Sequence, residues 1–221
     1  MTGFGCRYDD GSYDFSVKSV ANGLVSPKHH NIMKKEARQI WNKATILAQA
    51  TKGDPNAYTQ LVAKFATDEL VLAMWALVQS GSEAIPALIA GLKHPHTTVR
   101  RNCVDAIDHG GFGSDARCQE ALLPLLHDPV AHIRRAAWHT LFCERCPDPA
   151  KCDMNTPTEL DQVALLIEIG LNDPNPRLRR QLAEDLSNFT ADPRARLALA
   201  RIAQTETDIA LVDIVRRALG S

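Results

Sequence analysis

From Asn31 to about Thr51 apolar side chains recur three and four residues apart, at Met33, Ala37, Ile40, Ala44 and Leu47, with Trp41 beside the stripe. That spacing predicts an amphipathic helix closing the N-terminal end of a packed structure. Asp54-Pro55 then pairs a capping residue with a proline at the first helical position, which starts a helix to Phe65. Asp68 is placed to cap the next, ending near Gly81. The same signals predict pairs over about 83–92 and 96–109, 115–127 and 130–143, 159–171 and 175–188, and 193–205 and 208–219. Gly110-Gly111 stops one of these helices, because glycine tolerates the left-handed turn that follows a helix. Residues 1–26 show no helical period, scatter Tyr8, Tyr13 and Phe15 among glycines and acids, and read as an irregular N-terminal arm.

The helix pairs are copies of one another. A proline is followed four residues on by Val, Ile or Leu and then by two arginines at Pro95…Arg100-Arg101, Pro129…Arg134-Arg135 and Pro174…Arg179-Arg180. The first interval is 34 residues and the second 45, because a cysteine-bearing segment, residues 143–158, is inserted into one loop. One hairpin cannot bury its apolar stripe alone, so stacked copies supply the core. The expected fold is an all-α solenoid, an α-α superhelix of about five helix pairs plus a leading helix, as one domain over 27–221. Its last pair has Val212-Asp213 in place of the arginines and suits a cap.

Asp128 with Arg134, and Asp173 with Arg179, place an aspartate in the inter-helix turn and an arginine six residues later. In this the repeat resembles the HEAT/armadillo class, in particular the bacterial HEAT-like repeats of the phycobilisome lyase type. The first copy departs from the pattern, with His94 before its proline. The resemblance implies that the second helix of each pair lines a concave side. The turn carboxylate can accept from free N–H groups at the second helix's start and pair with the arginine, which can also reach the neighbouring repeat. Arg100, Arg134 and Arg179 are thus expected to form a structural ladder. Arg101, Arg135 and Arg180 have no partner evident in the sequence, and divide between a solvated face and a binding stripe for an acidic segment.

Composition narrows the function classes. Twenty-five Lys and Arg nearly balance 26 Asp and Glu, so no global field draws the chain to nucleic acid or an anionic membrane. No apolar run approaches a membrane span and no basic-then-apolar leader is present, which points to a cytoplasmic protein. No phosphate-cradling glycine loop or nucleophile elbow is found. No histidine is followed by glutamate, which removes the di-iron hydroxylases built on HEAT repeats. A non-catalytic scaffold binding another protein is the leading reading. A HEAT-type DNA glycosylase or nucleic-acid binder and a phycobilin lyase-like enzyme are the alternatives.

One constellation has metal-ligand spacing: His139, one helical turn before Cys143, then Cys146 and Cys152. These four could close a tetrahedral structural zinc site, Cys146 and Cys152 could pair as a disulfide, or the thiols could be free. Cys103 and Cys118 fall on helix faces as core residues, and Trp75 and Trp138 read as packing. If zinc is bound, elemental analysis of protein purified without added metal finds about one zinc per chain. Three freely alkylated thiols with no metal leave only the third reading.

Overall fold

The computed structural model describes residues 27–142, 159–170 and 172–220, with the side chains of 27–35 and 37 excepted. The expected arm over 1–26 and the cysteine segment 143–158 lie outside the described residues. Those residues form eleven α-helices and no strand. In chain order these are α1 (Pro27–Ala50), α2 (Pro55–Ala63), α3 (Leu70–Gln79), α4 (Ile85–Gly91), α5 (Thr97–His109), α6 (Ala116–Leu122), α7 (Ala131–Leu141), α8 (Gln162–Leu165), α9 (Pro176–Ser187), α10 (Pro193–Thr205) and α11 (Ile209–Leu219).

Most starts follow from short polar side chains that accept the first free N–H groups. Asp54 accepts from Asn56, Asp115 from Arg117, Asp192 from Arg194 and Asp208 from Ala210, at 2.8–3.0 Å. Asp68 does not cap α3. The preceding 3₁₀ turn, Lys64–Ala66, leaves Thr67 extended, so Thr67 Oγ1 accepts from the Glu69 N–H at 3.2 Å and α3 begins at Leu70. Gly111, with φ of 68°, supplies the left-handed residue after α5.

The helix expected over 159–171 is instead one α turn followed by a π-helical segment, Leu166–Gly170. A Cβ added at Gly170 would lie 3.0 Å from the Leu182 Cβ, so a side chain there would need α9 to give by a few tenths of an ångström.

Contacts group the described residues into two compact units, one from 27–125 and 132–142, the other from 126–131, 159–170 and 172–220. In the first, Phe65, Leu77, Leu88, Ile107 and Leu122 are fully buried, and Cys103 and Cys118 lie in that core as expected. Across it the buried Asn102 amide donates to the Phe65 carbonyl at 2.9 Å, which satisfies a 3₁₀-turn acceptor that has no helical partner. At the start of the unit, Gly53 N–H and Tyr58 O–H both donate to the Glu83 carboxylate, at 3.0 and 2.9 Å. The second unit buries Leu166, Leu182, Leu186, Leu199, Leu211 and Val215 between α8 and its π segment, α9, α10 and α11.

Gly91 sits at a close helix approach, since an added Cβ would collide with Cys103 Sγ and lie 2.8 Å from Val62 Cγ1. Alanine is the better helix former by up to about 1 kcal/mol, but overpacking costs about 1–3 kcal/mol, so packing decides. Gly91→Ala is expected to lower the melting temperature. Adding Cys103→Ala, which removes the struck sulfur, is expected to recover part of that loss in thermal unfolding.

Candidate binding face

The three inter-helix turns use one device. Asp128 Oδ1 accepts from the Val130 N–H at 2.9 Å, and Asp173 Oδ1 from the Asn175 N–H at 2.7 Å. In the first copy, His94 Nδ1 accepts from the His96 N–H at 3.0 Å. The imidazole therefore does the carboxylate's work, and the departure from the pattern is chemical rather than geometric. The ladder arginines complete the turn from the other side. Arg100 Nη1 donates to the carbonyls of His94 and Pro95 at 2.9 and 3.0 Å, and Arg179 Nη1 to that of Asp173 at 2.9 Å. Arg179 Nε also reaches Glu206, beyond α10, at 3.3 Å. The turn contact of Arg100 and of Arg179 is thus a backbone carbonyl, while His94, Asp128 and Asp173 each serve the N–H two residues on. Arg134 is buried.

The second arginines are not unpartnered. Arg101 Nε donates to both oxygens of Asp105 at 2.9 and 3.0 Å, while its Nη1 donates to the His132 carbonyl at 3.0 Å. Arg180 Nε donates to the Asp208 carboxylate at 2.7 Å, and Arg135 is half-buried and also engaged. The Arg101–Asp105 pair was legible as a four-residue helical spacing. The Arg180–Asp208 pair joins residues 28 apart, and only the packing of α9 on α11 brings them together.

Of the four proposed metal ligands, His139 lies on α7, and Cys143, Cys146 and Cys152 lie outside the described residues. His139 Nε2 is 3.9 Å from Asp108 Oδ1, an electrostatic contact too long for a hydrogen bond. Among the described residues no cluster of three or more His, Cys, Asp or Glu side chains could hold a metal. The described thiols are not poised for chemistry either: burial pushes Cys118 up to about 12 and raises Cys103 as well.

What the sequence reading passed over is an aromatic row in the first unit. Trp41 on α1 packs against Trp75 of α3, ring centroids 5.4 Å apart and planes tilted by 58°, and Trp75 against His109 of α5 at 5.9 Å and 33°. Trp41 keeps 45% of its surface exposed, whereas Trp75 and His109 are half-buried. The three stand 34 residues apart, the interval between the first two arginine motifs, so α1 occupies the place of a second helix in the repeat. That period was the available signal. One residue before His109, the Asp108 side chain is only 7% exposed. Burial holds its carboxyl above the ordinary range; His139, His109 and Arg101 pull it back, and Asp105 adds to the rise. The face formed by α1, α3 and α5 therefore carries a row of mutually tilted aromatic rings next to a buried carboxyl.

Residues 71–94 match the family described as the PBS lyase HEAT-like repeat. The matched stretch runs through α3 and α4 to His94, covering the second helix of one pair and the first of the next. No curated protein gives a significant match to the chain.

The buried acid predicts a pH effect. With the folded-state pKa of Asp108 above its ordinary value near 3.9, the native state keeps a proton that the unfolded chain has released. This group's contribution therefore falls as pH rises through that window. Asp108→Asn removes the titration at constant shape. The variant is expected to melt no lower than the native protein at neutral pH, with its advantage shrinking as pH falls towards about 4.

Proposed function

Because the chain carries a HEAT-like repeat of the PBS lyase type, we propose that it is a non-catalytic scaffold that binds a protein partner through the face formed by α1, α3 and α5. The observation that carries this reading is Trp41: a tryptophan nearly half exposed, backed by a second indole and an imidazole on successive helices. Tryptophan is the residue type most enriched at the energetic centres of protein interfaces, because it brings a large apolar area at little entropy cost. A preformed stack lowers that cost further, since Trp75 already restricts the Trp41 ring.

The stripe of Arg101, Arg135 and Arg180 fits an acidic partner less well, because an acidic segment would have to compete with Asp105 and Asp208 for two of the three guanidinium groups. The same pairing weighs against a phosphate chain, since neutralised arginines release few counterions. No helix among the described residues is long and apolar enough to cross a membrane.

Affinity capture from the native cell with Trp41→Ala beside the unaltered chain tests the proposal. The variant gives up the Trp41–Trp75 contact, about 1 kcal/mol, so it is expected to keep its helical content and melt slightly lower while losing the captured protein, with a binding cost above about 2 kcal/mol for an interface centre. Arg101→Glu is expected to melt lower instead, because it places two acids together at a half-buried site. Undiminished capture by a folded Trp41→Ala variant sinks this assignment of the face.

A further inference from the structure

A second site lies in the other unit, independent of the aromatic face. The π segment Leu166–Gly170, α9, α10 and the start of α11 enclose a cleft of about 490 Å³, within the range of small-molecule sites. Its floor is apolar, formed by Leu166, Leu182, Leu186 and Ile202. The π segment is one wall and α10 another. A π turn widens a helix by one residue per turn, and such segments recur at functional sites. Here Gly170 lies close against Leu182, so this wall packs its backbone directly on α9.

The charges at the mouth divide into two kinds. Arg179 and Glu206 are spent: Arg179 is held by the Asp173 carbonyl and by Glu206, and the Glu206 carboxylate also accepts the N–H groups of Thr207 and Asp208 at 2.8 and 3.1 Å. Glu168 and Arg201 are not. Both line the cleft, both are exposed, and neither side chain makes an ion pair or hydrogen bond among the described residues. One stands on the π wall and the other on α10, so a free anion and a free cation flank one apolar floor. A simple anion would meet Glu168, and a simple cation would meet Arg201. Only a ligand carrying both charges on an apolar body is complementary to the whole mouth.

We propose that this cleft binds a short zwitterionic peptide, with an apolar side chain on the Leu182–Leu186 floor, its carboxylate against Arg201 and its ammonium group against Glu168. Two charge-assisted contacts at a partly exposed rim give discrimination rather than high affinity.

The test titrates the ¹⁵N-labelled full chain with three probes: leucyl-leucine, its N-acetyl derivative, which lacks the cation, and its C-terminal amide, which lacks the anion. Leucyl-leucine is expected to shift the amides of Gly170, Asn172 and Thr205 and to bind about three- to ten-fold more tightly than either blocked form. Arg201→Ala should bring leucyl-leucine down to the level of the amide, and Glu168→Gln to the level of the acetylated form. Both positions are exposed, so the variants are expected to fold, and Trp41→Ala should leave all three titrations unchanged. Absence of shifts at those amides, equal binding of the three probes, or variants that keep the native preference would each overturn the proposal.

Discussion

Each of the three arginine-bearing hairpins has to close a turn in which several backbone groups lose their helical partners. The chain solves this with two side chains. One sits before the proline and takes the N–H two residues on; the other, an arginine on the second helix, reaches back to the turn's carbonyl. The closure matters most where the turn is buried, at Asp128 and Asp173, because a buried group left unbonded costs about 1–3 kcal/mol. The requirement is for an acceptor at a given place rather than for a carboxylate, which is why an imidazole serves at His94.

Helix starts were legible wherever a short polar residue precedes a proline or an apolar run, as at Asp54, Asp115, Asn175, Asp192 and Asp208. The failures have local causes. At Asp68, a 3₁₀ turn moved the start by one residue, so Glu69 takes the cap position without a side-chain cap bond while Thr67 accepts its N–H. Over 159–171 the apolar period is compatible with both α and π geometry, and the approach of Gly170 to Leu182, a contact between different helices, is not visible in it. Arg101 and Arg180 were assigned to a surface for lack of a partner; one partner was a turn away on the same helix, and the other lay two helices away.

The two candidate sites use opposite physics. On the α1–α3–α5 face the charges are neutralised or buried and the exposed element is an apolar ring, so recognition there is a matter of area and shape. At the cleft the apolar part is recessed and the open charges stand at the rim, so recognition there is a matter of charge placement. Asp108 illustrates the cost of the first arrangement: an acid packed beneath a binding face is held back from ionising, and the nearby imidazoles and guanidinium offset only part of that penalty.

The aromatic row advances by one ring for each 34 residues, in step with the helices that carry it. Its length is therefore counted in repeats rather than tuned residue by residue. Duplication of a single hairpin within this stretch would lengthen the strip by one ring and leave every existing stack in place. A longer partner could thus be accommodated by copying, with no new surface to be invented.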